Sequence, residues 1–400
     1  MLAALVTLRA RRSGAGRGAR LTLGGKQGEA DEPGADLVYS CAVVRHGARG
    51  PTRKALYLAS GETPAQFALR RPAQDVTSGE TDHPATSAAH VWAPDEPEAL
   101  TDVGRMQLRR VGQWFREEYA RKHGLDRELS ERPTKIKMRV SDRPRVIASA
   151  DEFSIGFGAH LIDRQAYPSR KDADRVFRSW QGKDYNDAVD GLRKGPAFLE
   201  YGDAHAASLD RTVCAAAGNW VREADRGTQL NYATYVNEVV ECEKYAGKDV
   251  LPGSLSSKLS PSAKEELRGL AKHCFDLRFF GSMAERFGKA IGGDLLAEIQ
   301  QDLVQAEEGA GPRFATYVGH DYTILALLAA LGQDTHPRHI TGFGAFVVLQ
   351  WWKLKKVKVD NKAENTILKV MLYSEPFPDP SFHKDGINVG EPETTRIYCS

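Results

Sequence analysis

Residues 37–44 constrain the fold of this chain more than any other segment. They form a short, continuous apolar run rich in β-branched residues, which is typical of a strand buried on both faces. A second apolar run lies at 314–319, and a strongly apolar helical segment follows it at 322–331. Between the two runs, a helical pattern begins at Thr101 and residues 136–140 alternate as a strand. Strands that alternate with helices predict an α/β fold, with a mixed, mainly parallel sheet flanked by helices.

The middle of the chain has a different character. Residues 166–309 carry charged and aromatic residues in helical patterns and show little strand alternation. We therefore expect a mostly helical domain inserted into an α/β core of residues 37–165 and 310–400. A chain of 400 residues is long enough for such an arrangement. Near the C-terminus, residues 344–352 and 366–373 predict a strand hairpin joined by a polar segment.

The N-terminal segment resembles a processing signal. Residues 1–28 contain six basic residues and no acidic residue, and an apolar start precedes the arginines. This order is closer to an organellar transit peptide than to a secretory signal, and a disordered start is the alternative. We therefore interpret residues 1–36 as a targeting or disordered segment, and the compartment stays open.

Charge, hydropathy and cysteine content exclude several classes of protein. The chain has 55 Lys and Arg against 53 Asp and Glu, so no overall positive field is present to bind nucleic acid or an anionic membrane. No run approaches the roughly 18 consecutive apolar residues of a membrane-spanning helix, so we predict no transmembrane segment. Five scattered cysteines without a CxxC pair indicate neither a disulfide scaffold nor a zinc site. The oligomeric state is not predicted.

The pattern RHGARGP at positions 45–51 follows directly after the first apolar run. Average residue frequencies would produce its five fixed positions by chance in about one in several thousand chains of this length. Loops that leave the C-terminal ends of buried strands bind ligands in open α/β sheets. This loop holds the imidazole of His46 between the guanidiniums of Arg45 and Arg49, which match phosphate oxygens in bidentate geometry. The motif therefore indicates a phosphate site.

These residues resemble the RHGxRxP motif of the histidine phosphatase superfamily, in its branch of histidine acid phosphatases and phytases. The resemblance extends to LTDVG at 100–104 with Gln107, and to SDRPRVIASA at 141–150. It also includes His320-Asp321, which lies between an apolar strand and an apolar helix. Most of residues 38–375 are covered, strongly at the motifs and weakly through the helical insertion. The resemblance implies a phosphoglycerate-mutase-like core.

The resemblance also implies an activity and residue roles. The protein would be a phosphoric monoester hydrolase, an acid phosphatase that acts on small phosphomonoesters without a metal or another cofactor. His46 would attack phosphorus to form a phosphohistidine, and Asp321 would protonate the leaving group. Four further residues would bind the phosphate oxygens: Arg45, Arg49, Arg145 and His320.

The third phosphate-binding arginine is assigned by aligning the segment SDRPR at 141–145 with the corresponding segment of the family that it resembles. This alignment assigns the role to Arg145, in the first turn of a helix that begins at Pro144, where backbone N–H groups also favour an anion. Arg143 and Arg139 lie close enough in sequence to be alternatives.

The role of Asp321 implies a pH dependence. Its carboxyl group must be protonated to act as an acid, whereas the reference pKa of an aspartate is about 3.9, so we predict the best activity at acidic pH. Bound phosphate dianion would raise this pKa and the arginines would lower it, so the sequence does not define the optimum.

Several alternatives stay open for the substrate. Arg53 and Lys54 follow the motif where phytase-type members have a nearby lysine, so they are candidate specificity residues, or else solvated loop charges. Inositol phosphates, lysophosphatidic acid, small sugar phosphates and phosphotyrosine-like monoesters are candidate substrates. A catalytically silent phosphate-binding module is the non-enzyme alternative. A phosphomutase is a third reading, but mutases resemble RHGE and position 48 is alanine.

The resemblance favours a secretory, lysosomal or extracellular location, in contrast to the arginine-rich N-terminus. Cys242 lies where secreted family members often carry a disulfide cysteine. The hairpin strand that usually supplies its partner contains no cysteine, so we do not predict this disulfide.

Overall fold

A computed structural model describes most of the chain and divides it into two compact units. Unit 1 comprises Met1–Gly47, Asp102–Asn186 and Arg278–Ser400, and unit 2 comprises Ala48–Thr101 and Asp187–Leu277. The predicted domain limits stay a prediction. The described residues are 35–52, 55–56, 98–124, 136–158, 174–178, 183–217, 219–251, 253–280, 290–332, 341–359, 362–373 and 393–399.

Unit 1 is built on one six-stranded sheet with the strand order β2-β3-β1-β4-β5-β6. Its strands are β1 (Ala35–Arg45), β2 (Ile136–Val140), β3 (Phe314–Gly319), β4 (Phe346–Val359), β5 (Lys362–Tyr373) and β6 (Glu393–Cys399). Strands β2, β3 and β1 are parallel neighbours, whereas β4, β5 and β6 are added antiparallel. This mixed sheet flanked by helices confirms the predicted fold class.

The described helices follow in chain order. They are α1 (Asp102–Phe115), α2 (Pro144–Phe157), α3 (Arg175–Arg178), α4 (Lys183–Arg193), α5 (Pro196–Ala204), α6 (Ala206–Leu209), α7 (Ala215–Ala217), α8 (Arg226–Tyr245), α9 (Pro261–Phe279), α10 (Ala290–Glu307) and α11 (Asp321–Ala330). Short π-helical turns lie at Arg116–Arg121 and Asp210–Cys214, and 3-10 turns at Asn219–Glu223 and Ser256–Lys258. No helix among the described residues is long and apolar enough to cross a membrane.

The inner strands are continuous apolar runs because both of their faces are covered. All residues of β3 are buried, as are those of β1 from Tyr39 onward. In β2 the burial alternates, and Lys137 and Arg139 form ion pairs with Glu298 on α10. The alternation follows from the two faces of β2, since its apolar side chains belong to the core cluster and its two basic side chains pair with a carboxylate of α10.

Helices α1 and α2 pack against each other at glycines. A Cβ atom at Gly112 would overlap the carbonyl of Phe153, and one at Gly156 would overlap the carbonyl of Arg109. The absence of side chains at these two positions therefore lets the helix backbones approach closely. An aromatic cluster fills the space between these helices and the sheet, with Phe115, Phe153, Phe157, Phe314 and Phe346 among its members.

The described elements of unit 2 are helical and enclose their own core. Leu230 and Val236 of α8 pack with Leu267 and Leu270 of α9 in one apolar cluster. Helix α8 begins after Asp225, whose carboxylate accepts a hydrogen bond from the backbone N–H of Thr228 at 2.9 Å. This cap satisfies one of the donors left open at a helix start.

The C-terminal part of the sheet differs from the prediction. The polar connection expected at 353–364 is wrong in extent, because β4 and β5 continue through it and place Val357 opposite Glu364. Strand β6 was not predicted, since its polar sequence has no clear apolar alternation.

Most of the segment interpreted as targeting or disordered, residues 1–34, lies outside the described residues. Four described cysteines are buried and form no disulfide with one another: Cys41, Cys214, Cys242 and Cys274.

Candidate functional site

The C-terminal ends of the three parallel strands bring the first set of predicted residues together. Arg45, the last residue of β1, lies opposite Gly319, the last residue of β3. The backbone N–H of His46 donates to the carbonyl of Gly319 at 3.0 Å, and that of Ser141 donates to the carbonyl of Val318 at 3.0 Å. The loops after β1, β2 and β3 therefore leave the sheet side by side, at the edge where open α/β sheets bind ligands.

The side chain of His46 is 2% exposed, and its two neighbours determine its tautomer. Nδ1 lies 2.9 Å from the carbonyl oxygen of Gly47, which can only accept a hydrogen bond, so Nδ1 carries the proton. The Nε–H of Arg145 donates to Nε2 at 3.3 Å, and a guanidinium can only donate. In a neutral imidazole both contacts favour the lone pair on Nε2 rather than on Nδ1, so Nε2 is the ring nitrogen that could act as a nucleophile.

Gly47 is fixed by α1 and α2. Its N–H donates to the hydroxyl of Ser149 at 3.1 Å, and that hydroxyl donates to the carbonyl of Arg145 at 2.7 Å. A Cβ atom at position 47 would overlap the backbone of Gly104 in the first turn of α1. Glycine is thus needed at position 47, where the motif loop meets the first turn of α1.

Arg45 is 8% exposed, and several contacts hold its guanidinium in one plane. Nη2 forms an ion pair with Oδ2 of Asp321 at 3.2 Å, and Nη1 donates to the carbonyl oxygen of Thr341. Its Cζ lies 4.4 Å from the ring centroid of Phe343. The buried Nε–H has no hydrogen-bond partner among the described residues.

His320 and Asp321 lie where β3 passes into α11. His320 is the N-cap residue of α11, and its backbone N–H donates to the hydroxyl of Thr323 at 3.1 Å. A hydrogen bond of 3.2 Å joins its Nε2 to the hydroxyl of Ser141, and its ring centroid lies 5.5 Å from that of His46. The backbone N–H groups and dipole at the start of this helix favour a negative charge beside them.

The three arginines considered for the third phosphate-binding position have different surroundings. Arg145, in the first turn of α2, contacts His46 directly. Arg139 forms ion pairs with Asp174 and Glu298, each at 3.1 Å. Arg143 is the N-cap residue of α2. Only Arg145 combines a place in the helix start with a contact to His46 among these three described residues.

Arg49 belongs to unit 2, and the structure pairs it with a residue that sequence reasoning missed. Its Nη1 lies 2.8 Å from Oε1 of Glu238 on α8. Glu238 also accepts hydrogen bonds from the backbone N–H of Thr52 at 2.6 Å and from its hydroxyl at 3.2 Å. Burial lowers the pKa of Arg49, but the charge and hydrogen bond of Glu238 outweigh this effect and the pKa is raised. Glu238 lies far from Arg49 in sequence and belongs to no recognisable motif, so no sequence signal indicated this pair.

Two predicted specificity residues, Arg53 and Lys54, lie outside the described residues. Within the described part of the chain, no group of three or more His, Cys, Asp or Glu side chains is arranged to hold a metal ion. In unit 1, the arrangement around His46 combines a nucleophilic nitrogen, cationic donors and one carboxyl group, which together suit a phosphate monoester.

Several solved structures share this fold. The phytase of Klebsiella sp ASR1 superposes with a TM-score of 0.60 at 17% identity, over 92% of this chain and 90% of that chain. Hafnia alvei phytase in complex with tartrate gives 0.59 at 16% identity, over 92% and 91%. The Bifidobacterium longum multiple inositol polyphosphate phosphatase, in complex with inositol hexasulfate, gives 0.50 at 12% identity, over 86% and 87%.

Curated protein sequences include no significant match to this chain. A family model does match it, from residue 37 to residue 259, and this segment contains the motif at 45–51, the LTDVG helix, and the strand and helix around Arg145. The match covers more than half of the 400 residues. The chain therefore belongs to the histidine phosphatase superfamily, branch 2.

Proposed function

We propose that this protein is an acid phosphatase that hydrolyses phosphomonoesters through a phosphohistidine on His46. Membership of the histidine phosphatase superfamily supports phosphatase activity in general. The observation that carries the specific proposal is the pair of contacts of the His46 ring, a carbonyl oxygen at Nδ1 and a guanidinium at Nε2, because these contacts favour the tautomer with its lone pair on Nε2. Asp321, which lies in an ion pair with Arg45, is the proposed proton donor.

In the first step, Nε2 of His46 attacks phosphorus, the N–P bond forms, and the bond between phosphorus and the ester oxygen breaks. Protonated Asp321 gives its proton to the departing oxygen, which leaves as an alcohol. In the second step, water attacks phosphorus, Asp321 takes up one proton of that water, and the N–P bond breaks to release phosphate. The scheme balances with water as its only co-reactant.

The phosphate oxygens need cationic donors in both steps. Arg145 lies next to Nε2, the attacking atom, and Arg45 lies beside Asp321, the proposed proton donor. His320 adds a further ring nitrogen near His46. We assign these three residues and Arg49 to phosphate binding, because preorganised donors stabilise charge that develops in the transition state.

Asp321 forms an ion pair with Arg45, whereas proton donation requires the neutral acid. A phosphate dianion that takes over the donors of Arg45 weakens this pair. We therefore expect the reaction to be fastest at acidic pH, where a larger fraction of Asp321 carries a proton.

Phosphate release tests the proposal. The purified chain is incubated at acidic pH with an aryl phosphate, with phytate and with lysophosphatidate, beside the His46→Ala variant. We expect release from at least one substrate by the wild-type chain and none by the variant. A folded wild-type chain that releases no phosphate, yet binds it, would identify a silent binding module instead.

Inositol phosphates are the second candidate substrate class. The solved structures with the same fold include phytases and an inositol polyphosphate phosphatase, although identities of 12–17% extend only to the fold. The basic pair Arg53-Lys54 directly after the motif favours a polyanionic substrate. A phytate rate that exceeds the other two rates, and that falls in the Lys54→Ala variant, supports this class.

A further inference from the structure

A tight turn at Gly342–Ala345 is bonded to the backbone of the motif. The N–H of Ala345 donates to the carbonyl of Gly342 at 3.1 Å, and Gly344 has a φ of 73°, which favours glycine. The N–H of Gly344 donates to the carbonyl of His46 at 3.1 Å, and the N–H of Arg45 donates to the carbonyl of Ala345 at 2.8 Å. The turn therefore has a fixed position beneath Arg45 and His46.

Phe343 lies in this turn, and its ring contacts both residues. The side chain is 2% exposed. The guanidinium carbon of Arg45 lies over the ring face, 4.4 Å from its centroid, which is the geometry of a cation–π contact. The imidazole of His46 lies 5.9 Å from the same ring, between centroids, with an interplanar angle of 40°.

The ring face completes the restraints on Arg45. Asp321 and the carbonyl of Thr341 engage the two Nη groups at the edge of the guanidinium, but edge contacts alone allow the plane to tilt. A ring against the face removes this freedom. The ring also brings no polar atom of its own, so it does not compete with phosphate for the donors of Arg45 and lowers the local dielectric around them.

We propose that Phe343 is a positioning residue for the reaction, a proposal that rests on the phosphatase function above. Its ring holds the guanidinium of Arg45 and the imidazole of His46 in the orientation that receives phosphate. Phe343 acts through these two residues.

Fluorinated phenylalanines at position 343 provide the sharpest test. Each added fluorine weakens the negative face of the ring while it changes the shape of the side chain little, so a cation–π role predicts a stepwise fall in kcat/KM for an aryl phosphate. With three fluorines we expect a loss of about tenfold. We expect kcat to fall and the dissociation constant of inorganic phosphate to rise along the series. The kcat/KM of the Phe343→Leu variant should fall by at least the same factor.

Phe157 is the matched control. It is also a fully buried phenylalanine of unit 1, but it stacks on Phe314 with ring centroids 5.3 Å apart, in the core cluster. The same fluorinated series at position 157 should change the melting temperature without a stepwise change in kcat/KM. Equal kcat/KM values across the series at position 343, with the protein folded, would overturn the proposal.

The test also separates this proposal from the phosphatase function. If the wild-type chain has no turnover, the function fails, and the calorimetric dissociation constant of inorganic phosphate then decides the role of Phe343. A stepwise weakening of phosphate binding along the series retains the proposal, and identical binding overturns it. If turnover is present and insensitive to the series, only the positioning role fails.

Discussion

The two ring nitrogens of His46 have different partners, and this difference is the most informative detail at the scale of single residues. A backbone carbonyl at Nδ1 and a guanidinium at Nε2 are an obligate acceptor and an obligate donor, so they select the same tautomer independently. The sequence motif indicates His46 as the candidate nucleophile, but it does not indicate which ring nitrogen would attack. The assignment of Nε2 as the nucleophile depends on the position of Arg145, which makes this arginine the natural residue to change.

The Arg145→Ala variant should lose at least about 100-fold in kcat/KM for an aryl phosphate, because one preorganised donor at the phosphate is removed. Arg143→Ala and Arg139→Ala are the matched controls. The guanidinium of Arg139 already lies between two carboxylates, so its removal should lower the melting temperature and leave kcat/KM of the folded protein unchanged. A larger loss in either control than in Arg145→Ala would contradict the assignment.

At the scale of elements, the site depends on where strands end and helices begin. Strands β1, β2 and β3 are parallel and end at one edge, so three loops distant in sequence supply neighbouring side chains. Helices α2 and α11 begin at this edge and present backbone N–H groups to it. In unit 2, α8 contributes Glu238, which connects the motif loop to a helix almost two hundred residues later.

The Glu238→Ala variant tests this connection. The substitution removes the carboxylate of Glu238 that pairs with the buried guanidinium of Arg49, so the free energy of unfolding should fall by about 3 kcal/mol. The control is Glu241→Ala on the same helix, whose pair with Arg268 is more exposed and should contribute about 1 kcal/mol or less. In a double-mutant cycle with Arg49→Ala, the double variant should lose less than the sum of the single losses, and strict additivity would argue against the pair.

His273 on α9 predicts a pH dependence of stability in unit 2. Its ring stacks on Tyr201 with centroids 3.5 Å apart. Burial lowers the pKa of His273, the charges of His205 and Lys272 act in the same direction, and Asp276 opposes them. Since the folded state holds this proton less tightly than the unfolded state, whose pKa is about 6.5, stability should fall as the pH drops below that value.

Urea denaturation between pH 8 and pH 5 measures this effect. We expect the free energy of unfolding of the wild-type chain to decline toward pH 5 more steeply than that of His273→Asn. Identical slopes for the two proteins would exclude His273 as a contributor.

Sequence reasoning predicted those parts of the fold and site that depend on local patterns. The apolar runs at 37–44 and 314–319 predict buried strands, and the polar residues that follow them meet at one edge because parallel strands end together. Glu238 and Phe343 were missed, since each contributes through a contact that forms only when distant segments pack. Strand β6 was missed because its partner β5, rather than its own alternation, determines its conformation.

At the scale of the whole molecule, the near-neutral charge contrasts with the cationic composition of the site. A formal net charge of +2 over 400 residues provides little long-range attraction for an anion. The proposed binding of phosphate would therefore depend on local donors, and the candidate donors in unit 1 come from three separate stretches of sequence, at Arg45, Arg145 and His320.

Trapping of the covalent intermediate tests the central claim most directly. The full chain is mixed at acidic pH with an excess of radiolabelled aryl phosphate, quenched in alkali within milliseconds, and analysed for label on protein. We predict a label on His46 that is stable in base and labile in acid, as an N-phosphate is, and that is absent from the His46→Ala variant. Full turnover by His46→Ala, or a label on another residue, would contradict the account.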